Sequence, residues 1–351
     1  MPGCRGPGGL RQPYGGEPGR GLREPYDRGA GPGMPGAATG LDCSMTRDHG
    51  QGHGPEVLRY TAFSADPAGG NPAGVVLDAS GLDEERMLAV AAELGYSESA
   101  FLTGRTGEGA YTIRYFSPRA EVPFCGHATV ATAVALAERD GPGALEFATA
   151  AGRVPVTVVR EGEELRATLT SVVPHITEIG AADLAEALAA LDWAAADLDP
   201  ALPPRIAYAG ARHLVLAAAT RERLADLAYD FARLETLMLR LDLTTLQLVW
   251  REAPEVFHVR DPFPVGGVVE DPATGAAAAA FGAYVRERGL VPERAAAAAF
   301  GAYVRERGLV PETAVLTLHQ GADMGRPGTL TVELRTGDDR VRVSGTGTRI
   351  G

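Results

Sequence analysis

The order of apolar and polar positions predicts alternating strands and helices from about residue 57 onwards. Residues 57–63 are a predicted strand. Residues 81–95 carry apolar side chains at helical spacing, with acidic residues in the first turn and Gly95 as the stop. Residues 97–102 and 111–116 are again predicted strands. Residues 128–136 are apolar on every side, which is typical of a helix buried all round.

The second half of the chain repeats this plan more loosely. A predicted hairpin of residues 153–159 and 164–169 closes the first half. Helices are then predicted at residues 182–191 and 221–227, and strand-like segments at residues 206–219, 246–249 and 257–260. A second apolar, Ala-rich helix follows Gly275. We therefore expect an α+β fold of two pseudo-symmetric domains, residues 55–172 and 173–351, with the active site in the cleft between them.

Residues 1–54 differ from the rest of the chain. They contain 16 glycines and 7 prolines and show no apolar periodicity. Such a segment buries too little apolar surface to offset the entropy cost of ordering, so we expect it to be disordered. A misassigned start, with translation beginning at Met45, is an alternative explanation of this tail.

Residues 276–293 and 295–312 are identical, so an 18-residue segment recurs with a period of 19. Two copies do not make a solenoid, which needs about three or more stacked units. The sequence Gly289-Leu290-Val291-Pro292 ends the first predicted helix. One copy is therefore surplus, and we expect it to bulge out or pack poorly. A recent duplication or a sequence-assembly error explains it better than a new functional element.

Composition narrows the possible functions. The 45 acidic and 33 basic residues give a net charge of −12, and no basic stripe is present, which argues against a nucleic-acid partner. No run approaches the roughly 18 consecutive apolar residues of a membrane helix, and no signal peptide is evident, so we expect a cytoplasmic protein without membrane contact.

Every basic residue is arginine, as the codon bias of a GC-rich genome would produce. The absence of lysine excludes a pyridoxal-phosphate Schiff base, a lysine nucleophile and a Gly-x-x-x-x-Gly-Lys phosphate loop. The three cysteines, Cys4, Cys43 and Cys125, cannot form a disulfide framework and lack Cys-x-x-Cys spacing.

Two segments carry side chains suited to acid–base chemistry, and the first surrounds Glu98 and Cys125-Gly126-His127. Glu98 enters a short apolar strand, where burial would raise its pKa; a strand-edge glutamate in water is the alternative. Cys125-Gly126-His127 opens the first apolar helix, whose free N–H groups attract a carboxylate or an oxyanion. His127 can donate to substrate, unless it is a structural cap, and the helix N-terminus would lower the pKa of Cys125.

The second segment, Glu270-Asp271-Pro272-Ala273-Thr274-Gly275, precedes the second apolar helix. Thr274 is predicted to cap that helix, Gly275 lets a ligand approach the backbone, and Asp271 points towards the same N-terminus; an ordinary Asp-Pro turn is the alternative. Residues 69–74 lack the order of a nucleotide loop and are predicted to form a tight turn near the cleft. No metal site is predicted, because the other candidate histidines are far apart and lack ligand spacing: His175, His213, His258 and His319.

Taken in order, these segments resemble the PhzF-like family of phenazine biosynthesis. The matching pieces are Gly70-Asn71-Pro72-Ala73-Gly74, Ser97-Glu98-Ser99-Ala100-Phe101, Phe116-Ser117-Pro118, Glu121-Val122-Pro123-Phe124-Cys125-Gly126-His127-Ala128-Thr129, Glu270-Asp271-Pro272-Ala273-Thr274-Gly275, Gln320-Gly321 and Met324-Gly325-Arg326-Pro327. The resemblance runs from about residue 57 to near the C-terminus and leaves out the tail and one repeat copy.

The resemblance implies the diaminopimelate epimerase-like fold, in which each half wraps a sheet around a central helix, and often a homodimer. It also implies an isomerase that needs no metal or organic cofactor and moves a proton between carbons of a small, dihydro-hydroxyanthranilate-like carboxylate. Carried over residue by residue, Glu98 is the acid and base, and His127 and Asp271 hold or help protonate the substrate. The implied substrate-binding positions are Asn71, Cys125, Gly126, Thr274, Gly275 and Ala276.

Two departures from the family pattern leave alternatives open. Ala276 stands where the family often has serine, which removes a hydrogen bond worth about 1 kcal/mol. The repeat begins at the same residue and could displace the helix. A catalytically impaired or binding-only paralogue is therefore one alternative. A two-thiol racemase is another, but it needs a second cysteine facing Cys125, and no cysteine follows Cys125 in the sequence.

Overall fold

The structure of the protein is a computed structural model that describes residues 55–290 and 313–351. Three of the expectations above fall outside these residues: the disorder of residues 1–54, the possible start at Met45, and the surplus nature of the second repeat copy, residues 295–312.

The first half wraps its strands around helix α2. Its elements are β1 (Leu58–Ala62), β2 (Asn71–Val76), α1 (Glu84–Leu94), β3 (Glu98–Gly107), β4 (Ala110–Phe116), β5 (Glu121–Val122), α2 (Gly126–Asp140), β6 (Ala144–Thr149), β7 (Gly152–Glu161) and β8 (Glu164–Thr170). Pairing runs β1-β2-β3-β4-β6-β7-β8, and the C-terminal strand β17 closes the ring by pairing with both β8 and β1. Helix α2 lies inside this ring and is buried from Gly126 to Ala137, which confirms the prediction.

The second half builds a similar layer around helix α6. Its elements are β9 (His175–Thr177), α3 (Ala181–Leu191), β10 (Arg205–Tyr208), β11 (Arg212–Ala217), α4 (Arg221–Ala225), α5 (Phe231–Leu241), β12 (Thr245–Ala253), β13 (Val256–Pro262), β14 (Glu270–Asp271), α6 (Gly275–Glu287), β15 (Thr313–Gln320), β16 (Gly328–Arg335) and β17 (Val341–Arg349). Single 3₁₀ turns lie at Ala195–Asp197, Pro264–Gly266 and Ala322–Met324. Pairing runs β9-β10-β11-β12-β13-β15-β16-β17.

The two halves follow the same topology. Parallel pairing of β2 with β3 across α1 corresponds to parallel pairing of β11 with β12 across α4 and α5. Parallel pairing of β4 with β6 across α2 corresponds to parallel pairing of β13 with β15 across α6. Because β17 pairs with strands of both halves, the described residues of the two halves form one compact unit. The domain boundary at residues 172 and 173 stays a prediction.

Helix ends follow local chemistry. The Asp83 side chain accepts a hydrogen bond from the Arg86 N–H at 2.8 Å, and Gly95 ends α1 in the left-handed region at φ 67°. Helix α5 has no counterpart among the predicted elements. It is capped by Asp230, and its buried Leu234, Leu237 and Met238 belong to the outer apolar layer against β10, β11 and β12.

The prediction of a tight turn over residues 69–74 is wrong for most of that segment. The turn ends at Gly70, whose φ is +56° and whose N–H donates to the Pro327 carbonyl at 3.0 Å. Asn71 then begins β2, so the side chain of Asn71 is held by a strand rather than by a loop.

Candidate active site

The candidate site lies where the N-termini of α2 and α6 meet. A methyl group on Gly126 would lie 3.4 Å from the Gly275 Cα, an ordinary van der Waals contact, so the two helix ends lie directly against each other. The N-cap residues Cys125 and Thr274 make no side-chain capping hydrogen bond. The side-chain cap predicted for Thr274 is therefore wrong. The N–H groups of a helix's first turn form a favourable environment for an anion, and here two such turns lie side by side.

Glu98 is the first residue of β3, where parallel pairing sets it beside Ala73 of β2. It is only 7% exposed, and its Oε2 lies 3.6 Å from the His127 Nε2. Burial, followed by the negative charge of Asp271, raises the pKa of Glu98 to about 8, while hydrogen bonds with Ser97 and Cys125 oppose the rise. Of the two interpretations of Glu98, the structure supports the buried one.

His127 lies one residue inside α2 and is 3% exposed. Burial lowers its pKa to about 3, so the imidazole is neutral near pH 7. Its Nδ1 lies 3.1 Å from the Asn71 Nδ2, and its Nε2 lies 3.4 Å from the Ser97 Oγ. An amide nitrogen only donates, so the Asn71 contact favours a proton on Nε2, on the side of Glu98.

Asn71 and Asp271 connect the two halves inside the site. The Asn71 Nδ2 donates to the Asp271 Oδ1 at 2.7 Å and to the Ala273 carbonyl at 3.0 Å. The Thr274 hydroxyl donates to the Asp271 Oδ2 at 2.6 Å. Burial raises the pKa of Asp271 to about 6, against these two side-chain hydrogen bonds. Asp271 is therefore the more acidic of the two carboxyl groups and carries the negative charge near neutral pH.

Cys125 behaves differently from the sequence-based prediction. Burial, followed by the charge of Glu98, raises the pKa of its thiol well above the ordinary value, so the predicted lowering is wrong. Its Sγ lies 3.3 Å from the His127 Nδ1. The helix N-terminus does not compensate for the loss of solvent, so Cys125 is a neutral thiol beside the imidazole.

Gln320, at the end of β15, holds the segment of residues 270–275 in place through hydrogen bonds. The sequence analysis did not assign this role to Gln320. Its Oε1 accepts the Thr274 N–H at 3.0 Å, and its Nε2 donates to the Asp271 carbonyl at 2.8 Å and to the Asp261 Oδ2 at 2.7 Å. Burial raises the pKa of Asp261 well above the ordinary value. The Gln320-Gly321 pair was noted as a matching motif, but only the fold shows what its side chain contacts.

Ala276 lies on another side of the helix end from the acid–base groups. Together with Gly275 it lines a cavity of about 330 Å³. The same cavity is also lined by Phe124, Tyr208, Arg153 and Arg340. Glu98, His127 and Asp271 do not line this cavity. The structure thus brings Asn71, Glu98, Cys125, His127, Asp271 and Thr274 together, and Gly275 connects them to the cavity at Ala276.

The histidines that the sequence analysis separated are not all far apart. Parallel pairing of β13 with β15 sets His258 beside His319, with ring centroids 5.3 Å apart, and Glu252 Oε2 lies 2.7 Å from the His258 Nε2. The expectation that these histidines are distant from one another is therefore wrong for this pair, since sheet pairing joins residues that are remote in sequence.

Comparison with known proteins places the chain in a family. The sequence profile described as phenazine biosynthesis-like protein matches residues 60–297 and 294–350. The chain belongs to this PhzF-like family. The two matched segments overlap at residues 294–297, which lie inside the duplication. A solved structure, the phenazine biosynthesis protein of the PhzF family from Bacillus anthracis, has a TM-score of 0.70 and 25% sequence identity over 84% of this chain and 96% of that one.

Relatives of the PhzF-like family carry isomerase names. One from Deinococcus radiodurans, named uncharacterized isomerase, is 34% identical over 287 residues, covering 80% of this chain and 87% of the relative. The trans-2,3-dihydro-3-hydroxyanthranilate isomerase of Pseudomonas aeruginosa is 28% identical over 291 residues, covering 82% and 94%. The chain is an isomerase of this family with the diaminopimelate epimerase-like fold. Among the helices that the structure describes, none has the length and apolar character needed to span a membrane.

Proposed function

We propose that the protein moves a proton between two carbons of a small carboxylated metabolite, with Glu98 as acid and base and without a cofactor. The observation that carries the proposal is the buried Glu98 carboxyl, 3.6 Å from the neutral His127 and with a pKa raised to about 8. A carboxyl with that pKa takes up and releases protons near neutral pH.

The geometry supports a two-step transfer. The substrate carboxylate binds the first-turn N–H groups of α2 and α6, beside Gly126 and Gly275. Ionised Glu98 removes a proton from one carbon, and the negative charge that develops is stabilised by these N–H groups and by the His127 Nε2–H. Protonated Glu98 then gives the proton to a second carbon, so that the product is an isomer. Asp271, held by Asn71 and Thr274, orients the substrate.

The substrate class follows from the site and the relatives. One relative is named trans-2,3-dihydro-3-hydroxyanthranilate isomerase, and we infer a ring of this kind, bearing a carboxylate. The first-turn N–H groups of α2 and α6 favour an acidic ligand beside Glu98. A racemase with two thiols is disfavoured because Thr274 occupies, on α6, the N-cap position that Cys125 occupies on α2.

The proposal is tested by nuclear magnetic resonance in D₂O with this dihydro-hydroxyanthranilate and a panel of small cyclic and acyclic carboxylates. We expect isomerisation of at least one compound, with deuterium at the reprotonated carbon. Glu98→Gln should slow it by about 10² to 10⁴-fold, whereas Glu93→Gln, at an exposed position of α1, should not. Unchanged turnover in Glu98→Gln would show that the mechanism is wrong. Binding without isomerisation or deuterium uptake would favour the binding-only alternative.

The assembly and the location are also part of the proposal. The resemblance implies a homodimer, and we place it in the cytoplasm. Light scattering of the purified chain should give twice the monomer mass, and a monomer at micromolar concentration would contradict this assembly.

A further inference from the structure

Two features of the sequence take no part in the mechanism above, and the fold brings them into contact: the glycine turn that leads into β2 and the segment of residues 324–327. The Arg326 Nε donates to the Gly70 carbonyl at 3.0 Å, and its Nη2 donates to the Gly69 carbonyl at 2.8 Å. In the opposite direction, the Gly70 N–H donates to the Pro327 carbonyl at 3.0 Å. These three hydrogen bonds, here called the clasp, join the first half of the chain to the second.

The shape of an arginine side chain suits the clasp. Gly69 and Gly70 are buried and lie before the first residue pair of the β1–β2 ladder, so their carbonyl groups need donors from outside that ladder. The Thr61 hydroxyl, at 2.5 Å, is a second donor to the Gly69 carbonyl. The Nε and one Nη of a guanidinium group present two N–H donors along one edge, which fits two successive carbonyl groups. A lysine ammonium is a point donor and would not reproduce this fork.

The clasp also fixes a strained stretch of backbone. Phe63 and Gly70, at the two ends of the connection from β1 to β2, have φ values of +65° and +56°. A bulky residue rarely adopts the left-handed region, and such a conformation persists only where neighbouring contacts hold it. The Thr329 N–H donates to the Phe63 carbonyl at 2.8 Å, while Arg326 and Pro327 hold the other end. Both ends of the connection are therefore fixed by residues 326–329 of the second half.

Asn71 is the next residue after the clasp. Its Nδ2 donates to the Asp271 Oδ1 at 2.7 Å and to the Ala273 carbonyl at 3.0 Å, and it lies 3.1 Å from the His127 Nδ1. The clasp sets the point at which the chain enters β2, and the Asn71 side chain can reach these three atoms only from that point. The contacts of Arg326 therefore reach the acid–base groups through one residue.

We propose that Arg326 is a positioning residue of the isomerase, which holds the Gly69 and Gly70 carbonyl groups and thereby places the Asn71 amide against Asp271. The placement of Asn71 stands on the geometry alone. The effect on the reaction rate rests on the proposed function, because Asp271 orients the substrate there. A misplacement of about 1 Å at a reacting centre costs up to about 10²-fold in rate.

The first measurement reads the site without any substrate. In ¹⁵N–¹H spectra of the full chain, the side-chain amide of Asn71, assigned with Asn71→Ala, should show a hydrogen shifted to low field by its bond to the Asp271 carboxylate. Arg326→Ala should return this signal to the ordinary amide region. The titration of the Asp271 carboxyl carbon should move to higher pH, because the Asn71 hydrogen bond lowers the pKa of Asp271 from the value that burial alone would give.

Asp323→Asn is the matched control. Asp323 lies in the same segment of the chain and pairs with Arg221 at 2.9 Å, but it takes no part in the clasp. It should leave the Asn71 signal and the Asp271 titration unchanged. Circular dichroism establishes that each variant is folded, and Arg326→Lys, which keeps the charge but not the fork, serves if Arg326→Ala does not fold. An unchanged Asn71 signal in the folded variant would overturn the proposal.

The second measurement is kinetic. Arg326→Ala should lower kcat by about 10- to 10²-fold. KM should change by less than about threefold, because the first-turn N–H groups that bind the substrate carboxylate remain. Added guanidinium ion should restore part of kcat by taking the place of the missing side chain, whereas methylammonium should not.

The outcomes separate the two proposals. Equal rescue by both cations, no rescue by either, or an equal loss of kcat in Asp323→Asn would assign the effect to charge or to general loosening of the segment and would overturn the role of Arg326. A changed Asn71 signal in Arg326→Ala, with no turnover of any compound by the wild type, would refute the proposed function and leave the placement of Asn71 by Arg326 intact.

Discussion

Each ionisable residue of the site owes its role to its surroundings more than to its type. Burial raises the pKa of Glu98, lowers that of His127 and raises that of Cys125 well above its ordinary value. The rise for Glu98 could be predicted, because the strand around it is apolar. The state of Cys125 could not, since the sequence indicates a helix N-terminus but not how completely the other half of the molecule removes water from it.

Glu98→Gln is expected to raise the melting temperature near pH 9 and to change it little near pH 4. The pKa of Glu98 is about 8 in the folded protein, against an ordinary value of 4.5 that applies when the chain is unfolded. The contribution of this group to stability is therefore present below pH 4.5 and is lost as the pH rises from 4.5 to about 8. Glutamine has no charge to bury at high pH. Calorimetry across this range, with Glu93→Gln for comparison, checks the prediction; identical pH dependence in wild type and Glu98→Gln would contradict it.

At the scale of elements, the local sequence pattern predicts helices and their ends, but it does not predict which strands pair. Helix α2 was predictable because apolar residues on every side allow only a buried helix, and the ends of α1 followed from Asp83 and Gly95. Strand β17 was not predicted, and its pairing with β1, β8 and β16 could not have been, since partners remote in sequence leave no local pattern. The contacts of Gln320 depend on the same long-range pairing.

Gly282→Ala is expected to destabilise the fold. A methyl group there would lie 2.5 Å from the Val332 Cγ1 and 3.0 Å from the Val341 Cγ1, so α6 would have to move away from β16 and β17. Alanine gains about 1 kcal/mol in helix propensity, but overpacking of a core costs about 1–3 kcal/mol. Urea unfolding should therefore show a lower free energy of unfolding.

Two controls accompany this change. Gly143→Ala, where a methyl group meets open space, should be neutral. Gly301→Ala is the same substitution in the second repeat copy, and it should have no effect if the first copy alone supplies the contact with Val332. Equal losses for Gly282→Ala and Gly301→Ala would contradict the assignment of the first copy to the core.

At the scale of the whole molecule, two similar halves enclose the site, and β17 joins them. The two-half plan was predictable, because two apolar helices, each entered through a glycine-containing turn, imply two similar layers. The duplication interrupts only the second half, and the family profile breaks there, at residues 294–297.

Deletion of residues 294–312 removes one copy of the repeat and should leave the fold and the isomerase activity intact. Residues 288–293 would then connect α6 to β15, and the equivalent crossover from α2 to β6 needs only residues 141–143. A shorter connection also lowers the entropy cost of closing the loop, so the melting temperature should stay equal or rise. A deletion variant that fails to fold would show that the second copy is required.

The central claim, that the closed fold makes Glu98 a proton carrier at neutral pH, is tested most directly by titrating this one carboxyl group. Infrared difference spectra between wild type and Glu98→Gln, recorded from about pH 4 to about pH 10, isolate its protonated carbonyl band. The band should persist through neutral pH and disappear with a midpoint of about 8. A midpoint near the ordinary value of 4.5 would contradict the claim.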